Sequence, residues 1–176
     1  MTTLLPPLTV VLGGARSGKS RYAERLVEDA GGGLYLATAE AGDAEMAERI
    51  AVHQARRGDA WRTLEEPLEL ARILSAHASA DAPILVDCLT LWLSNLMMAE
   101  RDAEADVMAL CETMASLDGP VVVVSNEVGL GIVPANDLAR RYRDLAGWAN
   151  QRLAETAQRV VFVAAGLPLV MKDENP

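Results

Sequence analysis

Eight residues near the start of the chain have the types and the spacing of a loop that binds phosphate. The apolar run 8–12 leads directly into the pattern G-x-x-x-x-G-K-S. Its glycines let the backbone wrap around a polyphosphate with the N–H groups pointing inward, because a Cβ would obstruct that path. The residues predicted to surround the phosphates are Gly13, Gly14, Ala15, Arg16, Ser17, Gly18, Lys19 and Ser20.

Two side chains of this loop have chemical roles of their own. The Lys19 ammonium is suited to reach the β- and γ-phosphates, and the Ser20 hydroxyl is a ligand for Mg²⁺. Apolar residues then recur with helical spacing, so the loop opens into a helix whose positive N-terminal end faces the anion. The alternative is a chance match in a glycine-rich turn, which average residue usage puts at about one percent for a chain of this length.

A carboxylate at the end of a later apolar strand is a second candidate. Asp87 ends the run 84–87. In many nucleotide-binding proteins an aspartate at the end of an apolar strand helps to hold Mg²⁺. The alternative is that Asp87 caps the next helix at Thr90 or Leu91. With the phosphate-binding loop upstream, we predict the metal-holding role for Asp87.

A histidine in a cationic segment could also carry chemistry. His53 lies on a predicted helix with Arg49, Arg56 and Arg57 at neighbouring turns, a field that would attract phosphate. A lone histidine beside arginines is more often part of a solvated helix face, and the residues alone favour that interpretation over a covalent role.

Two further stretches follow predicted strands. A carboxylate at Glu65 or Glu66 could accept two hydrogen bonds from guanine, although a solvated pair before Pro67 is the simpler interpretation. The loop 126–134 carries a polar pair and two glycines, which suits an active-site loop. A structural turn explains that loop about equally well.

Strands and helices alternate along the chain. This alternation predicts an α/β fold with a mostly parallel sheet, helices on both faces, and ligands at the carboxyl ends of the strands. One antiparallel edge strand is predicted near the end. We expect a single domain over residues 8–176, with 1–7 as an N-terminal extension. The predicted strands are 8–12, 34–38, 61–64, 84–87, 121–125, 160–164 and 167–172.

Composition excludes several classes of protein. The chain has 176 residues, 51% of them hydrophobic, and a formal net charge of −9, which argues against a nucleic-acid partner held by phosphate contacts. It contains no 18-residue apolar run, so no membrane partner is expected. The first residues lack the features of a signal peptide, and we expect a cytoplasmic protein. Two cysteines and two histidines lack the spacing of a zinc site.

Three stretches together are similar to one known family. They are the loop 13–20, the segment Ile50–His53 with Trp61–Thr63 behind it, and the segment 126–134 with Asn150–Leu153. The chain resembles the bifunctional adenosylcobinamide kinase and adenosylcobinamide-phosphate guanylyltransferase of cobalamin biosynthesis. The resemblance extends over nearly the whole chain, from Leu8 to Lys172.

The resemblance implies a RecA-like P-loop NTPase domain and a reaction in two steps. ATP or GTP first phosphorylates the aminopropanol hydroxyl of adenosylcobinamide. GTP then guanylylates an enzyme histidine with loss of pyrophosphate, and the GMP passes to adenosylcobinamide phosphate. Some members are homotrimers, so a homo-oligomer is expected, and the apolar residues of 91–98, Trp92 and Leu93 among them, are a candidate interface.

The resemblance also assigns site residues. It selects His53 as the nucleophile, because the family's histidine falls three residues after the helical isoleucine. Lys19 is the other catalytic residue, and Ser20 and Asp87 are the metal ligands for Mg²⁺. Besides residues 13–20, the nucleotide is expected to contact Ala37, Thr38, Ala39, Gln54, Arg56, Arg57, Glu65 and Asp87.

Two other functions remain open on the sequence. An ordinary P-loop kinase for another small metabolite would use Lys19, Ser20 and Asp87 but not His53. A nucleotide-dependent switch or DNA-handling module is disfavoured by the acidic charge and by the lack of a guanine-specificity motif.

Overall fold

The computed structural model describes residues 4–39 and 60–174, and these parts contain seven strands and five helices. The strands are β1 (Leu8–Gly13), β2 (Gly33–Ala37), β3 (Trp61–Glu65), β4 (Ile84–Asp87), β5 (Val121–Asn126), β6 (Arg159–Ala164) and β7 (Leu167–Asp173). The helices are α1 (Lys19–Asp29), α2 (Leu70–His77), α3 (Leu89–Met98), α4 (Ala103–Ala115) and α5 (Asp137–Thr156).

All seven described strands form one sheet in the order β3-β2-β4-β5-β1-β6-β7. The first six strands are parallel, and β7 pairs antiparallel with β6. Because β1 to β6 run in the same direction, their carboxyl ends all lie at one edge of the sheet. The prediction of a mostly parallel sheet with one antiparallel edge strand is confirmed.

Apolar residues cover both faces of the sheet. Along β1, Val10 and Leu12 belong to one core cluster and Val11 to the other, as the alternation of a strand requires. Helix α1 packs on the second face through Ala23 and Val27. The other four helices contribute to the larger cluster on the first face, so the central strands are buried on both sides.

The candidate interface on α3 is wrong for Trp92 and Leu93. Trp92 is 2% exposed and Leu93 is fully buried, and the Trp92 indole N–H donates to the Leu68 carbonyl at 2.8 Å. The helix is apolar almost all round because it is packed among its neighbours rather than covering the surface of a second copy. Met98 at the end of α3 is exposed, and other large exposed apolar side chains lie in the segment 130–138 and along β7.

The end of the predicted N-terminal extension contacts the domain. Leu5 packs against the core on the α1 side, and the Pro7 carbonyl accepts a hydrogen bond from the Val121 N–H at 2.8 Å. The division of the chain at residue 7 stays a prediction.

Candidate functional site

The phosphate-binding loop joins the end of β1 to the start of α1. Arg16 and Gly18 are both left-handed, with φ of 55° and 95°, and Gly18 precedes the first helical residue. Lys19 is only 9% exposed, and its ammonium donates to the Gly14 carbonyl at 3.2 Å. The lysine therefore folds over its own loop, with its charge beside the backbone that would surround a phosphate.

A second segment supports this loop from the side. The turn between β6 and β7 passes behind it, and the Gly166 N–H donates to the Ser17 carbonyl at 2.8 Å. A Cβ on Gly18 would lie 3.2 Å from the Gly166 Cα, so the two turns are in close contact. Sequence reasoning missed this support, because nothing in the residues around 166 signals a contact with residue 17.

Asp87 ends β4 on the face of the sheet that α1 covers. Its Oδ2 accepts a hydrogen bond from the Tyr35 hydroxyl at 2.7 Å, and Tyr35 is 5% exposed. The N-cap residue of α3 is Cys88, so Asp87 does not have the capping position that was its alternative role. The carboxylate is held in a fixed orientation at the carboxyl edge of the sheet.

Thr38 ties the ends of β2 and β4 together. Its hydroxyl accepts from the Cys88 N–H at 2.9 Å and donates to the Cys88 carbonyl at 2.8 Å. The Thr38 carbonyl in turn accepts from the Asn95 side chain at 2.8 Å. Thr38 is fully buried, so its side chain is occupied within the protein, and Ala37 and Ala39 flank it at the same edge of the sheet.

We call the space between the phosphate-binding loop and the carboxyl ends of β4 and β5 the crevice. The charges of Asp87 and Lys19 affect the pKa of the Cys88 thiol there. Burial and then the negative charge of Asp87 raise the pKa of Cys88 to about 11, whereas the charge of Lys19 acts in the opposite direction. The thiol is therefore protonated at neutral pH and is not a nucleophile there. Both Lys19 and Asp87 are close enough to influence one buried atom, which brings the two predicted residues to the same region.

A polar group on β5 completes the crevice. Asn126 pairs in register with Gly13, so it lies between the phosphate-binding strand and β4. Its amide donates to the Thr90 hydroxyl at 2.8 Å. The Tyr142 hydroxyl donates to the Thr90 carbonyl at 2.9 Å. Burial, and then the thiolate charge that Cys88 carries only at high pH, raise the pKa of Tyr142 to about 12.

Sequence analysis singled out Asn126 only as part of a loop. The signal that was available is the polar pair Ser125-Asn126 immediately after four buried valines. The two side chains alternate across the sheet: Ser125 donates to Asn150 of α5 at 2.6 Å, and Asn126 faces the α1 side. Ser125 therefore joins β5 to α5 through a hydrogen bond, whereas Asn126 faces the predicted nucleotide site.

The structure separates Glu65 and Glu66 from the phosphate-binding loop. Glu65 ends β3, which is four strand spacings from β1 in the sheet order, or roughly 19 Å. Glu65 is exposed on the same edge. The Glu66 carboxylate accepts from the backbone N–H groups of Leu68 and Glu69 at 3.0 and 2.9 Å. Glu66 therefore has the structural role of closing the turn before α2.

Four of the predicted site residues lie outside the described residues: His53, Gln54, Arg56 and Arg57. The other histidine, His77, is bonded through Nδ1 to Arg62 at 2.9 Å on an exposed surface. In residues 4–39 and 60–174, no group of three or more His, Cys, Asp and Glu side chains is arranged to hold a metal ion. In the same ranges no helix is both long and apolar enough to cross a membrane.

The fold is similar to that of two solved structures. The flagellar accessory protein FlaH of Methanocaldococcus jannaschii superimposes with a TM-score of 0.54 at 10% identity, covering 96% of this chain and 80% of that one. The RadB recombinase superimposes with a TM-score of 0.53 at 14% identity, covering 90% and 74%. At these identities the likeness establishes the fold alone.

Sequence comparison reaches further. The bifunctional adenosylcobalamin biosynthesis protein CobP of Pseudomonas aeruginosa is 53% identical over 168 residues, which are 94% of this chain and 97% of that protein. The corresponding CobU protein of Salmonella typhimurium is 41% identical over 180 residues, covering 94% and 99%. A family model described as cobinamide kinase / cobinamide phosphate guanyltransferase matches residues 9–171. The chain therefore belongs to the cobinamide kinase / cobinamide phosphate guanyltransferase family.

Proposed function

We propose that this protein catalyses both reactions of its family. It phosphorylates adenosylcobinamide with ATP or GTP, and it transfers GMP from GTP to the product to give adenosylcobinamide-GDP. The observation that carries this proposal is a phosphate-binding loop with Lys19 in place and Asp87 on the same face of the sheet, in a chain matched to the family over residues 9–171.

The kinase step is assigned to the crevice at the end of β1. Backbone N–H groups of residues 13–20 and the α1 N-terminus bind the triphosphate, and the Lys19 charge offsets the negative charge on the β- and γ-phosphates. Ser20 and Asp87 offer a hydroxyl and a carboxylate, the hard oxygen ligands that Mg²⁺ takes. These residues fit Mg²⁺, which when bound would neutralise charge on the phosphates.

The guanylyl transfer step is assigned to His53. An imidazole nitrogen attacks the α-phosphorus of GTP, an N–P bond forms, and the bond to the departing pyrophosphate breaks. A phosphate oxygen of adenosylcobinamide phosphate then attacks the same phosphorus and releases the histidine. Arg56 and Arg57 offset phosphate charge and disfavour protonation of the ring, which must be neutral to attack. We assign Gln54 to the same nucleotide site.

The covalent step is tested by incubating the protein with GTP labelled at the α-phosphate. We expect the wild type to acquire a label that is labile in acid and stable in alkali, as a phosphoramidate is. His53→Ala should acquire none, and His77→Ala, which changes a partly exposed histidine bonded to Arg62, should be labelled normally. Labelling of His53→Ala, or its absence in the wild type, would rule out the guanylyl-histidine.

The second candidate function is a kinase without the guanylyl transfer step. It is favoured only by the fact that the described crevice accounts for phosphoryl transfer without His53. Such a protein would phosphorylate adenosylcobinamide but would not consume the product with GTP. Product analysis with both nucleotides therefore separates the two functions.

We also propose that the protein is a cytoplasmic homo-oligomer, with a trimer as the specific assembly. Support comes from β7, whose outer edge has no strand paired with it in the described sheet and whose residues Leu167, Leu169 and Met171 are more than 60% exposed. Exposed apolar edge strands are usually covered by another chain. Light scattering at several protein concentrations measures the mass, and a monomer at all of them would contradict this assembly.

A further inference from the structure

A second exposed apolar surface lies in the loop that follows β5. We call residues 127–135 the apolar loop. Within it, Leu130, Ile132 and Val133 are 81%, 99% and 65% exposed. Its only charged residue is Glu127, whose carboxylate accepts from the Gly129 N–H at 2.7 Å. The loop therefore presents neighbouring apolar side chains to water, with little polar surface of its own.

The apolar loop is held at both ends. At its start the Glu127 N–H donates to the Gly13 carbonyl at 3.1 Å, and Val128 packs partly buried against the core. At its end the Pro134 carbonyl accepts from the Arg140 guanidinium at 2.8 Å. These anchors fix where the exposed side chains lie, so their exposure is a property of an ordered segment rather than of a free tail.

The position of this loop relates it to the predicted phosphate site. The residue before it, Asn126, is in register with Gly13, the first residue of the phosphate-binding loop. A molecule that accepts the γ-phosphate must place its acceptor oxygen beside Lys19, and the rest of it must extend to a neighbouring surface. The apolar loop directly follows β5, the strand that pairs with β1 beside the phosphate-binding loop.

We propose that the apolar loop is the docking surface for the corrin ring of adenosylcobinamide. This inference rests on the proposed function, because it takes the acceptor to be a corrinoid. The corrin is a large macrocycle with a methyl-bearing apolar face, and burying that face against Leu130, Ile132 and Val133 removes apolar area of both partners from water. The aminopropanol end then extends toward Lys19.

A second copy of the chain is the competing occupant, and β7 is better suited to that role. Strand β7 combines exposed apolar side chains with an outer edge unpaired in the described sheet, which another chain can cover. The apolar loop forms no strand in the structure and offers side chains only. Its side chains lie next to the strand end that is in register with the phosphate-binding loop, so a ligand whose phosphate-accepting group lies at that loop can cover them.

The test compares paired substitutions on the two surfaces. In Leu130→Ser/Ile132→Ser we expect the Kd for adenosylcobinamide, measured by equilibrium dialysis, to rise about tenfold or more. The KM for the nucleotide and the amount of guanylyl-enzyme formed from GTP alone should not change, since neither involves the corrinoid. The control Leu169→Ser/Met171→Ser should bind adenosylcobinamide as the wild type does.

Other outcomes overturn the proposal in recognisable ways. An unchanged Kd in the loop variant, or a fall in its particle mass by light scattering, would assign the apolar loop to no ligand or to a second copy. A wild type that does not bind adenosylcobinamide would overturn it as well. In a further outcome the guanylyl-enzyme fails to form in the wild type while the loop variant still loses corrinoid binding. That result would contradict the proposed transfer step and would support the docking surface.

Discussion

Gly33 and Gly119 lie at the amino edge of the sheet, where the parallel strands begin, and their surroundings differ from those of Gly14 at the carboxyl edge, where the strands end. At the amino edge, a Cβ on Gly33 would lie 2.1 Å from the Pro83 carbonyl oxygen, and one on Gly119 would lie 2.2 Å from the Ser79 carbonyl oxygen. At the carboxyl edge, a Cβ on Gly14 would meet nothing within 4 Å. Packing at the carboxyl edge is close at Gly13, where a Cβ would lie 2.6 Å from the Val163 carbonyl oxygen, and open at Gly14.

Polar side chains follow the same division. Asp87 and Asn126 are the last residues of β4 and β5, whereas the first residues of those strands, Ile84 and Val121, are buried in the core. The carboxyl edge also receives the N-terminus of α1, which favours an anion there. The comparison indicates that one edge maintains the fold and the other is free to bind ligands.

The largest expected effect comes from the carboxyl edge. Lys19→Ala removes the cation that we propose offsets charge on the transferred phosphate, and kinase turnover should fall about a thousandfold. Thermal unfolding should change little, because the Lys19 ammonium is bonded to its own loop at Gly14. Steady-state kinetics and a melting curve measure the two effects. A control, Asp81→Ala on the exposed amino edge, should retain full turnover.

At the amino edge we expect Gly33→Ala to lower stability and to leave turnover unchanged. The new methyl group would overlap the Pro83 carbonyl, so the free energy of unfolding should fall by about 2 kcal/mol or more. Urea denaturation measures this loss. Turnover per folded molecule should stay normal, and a variant as stable as the wild type would break the comparison between the edges.

Gly14→Ala is the matched change at the carboxyl edge. Because the methyl group meets open space, stability should stay within about 0.5 kcal/mol of the wild type. The same methyl group enters the path of the phosphates, so the Kd for GTP should rise about tenfold. Isothermal titration measures it, and unchanged affinity would mean that the open space is not the phosphate site.

The smallest effect concerns the orientation of Asp87. Tyr35→Phe removes the 2.7 Å hydrogen bond to its Oδ2, and the loss of one such bond corresponds to about a fivefold change. We expect the Mg²⁺ concentration that supports half-maximal GTP binding to rise by that factor. Tyr22→Phe, on α1, should leave it unchanged, and an equal response in both variants would contradict a specific role for Tyr35.

The sequence predicted features in which consecutive residues act together. The strand, loop and helix around residues 13–20 follow from an apolar run, two glycines and helical periodicity, all within one short stretch. The β5 strand follows from its valines. The start of α4 also has a local cause, because the Asp102 side chain accepts from the Ala105 N–H and so begins the helix at Ala103.

The sequence by itself determined the phosphate-binding loop, the parallel α/β class and the family, since each depends on local residue order. Only the tertiary structure decided that Tyr35 holds Asp87, that Gly166 supports Ser17, that Trp92 is buried, and that the segment after Asn126 exposes its apolar side chains. These contacts join residues far apart in the chain. No local pattern specifies them, because they exist only once the sheet order brings those strands and turns together.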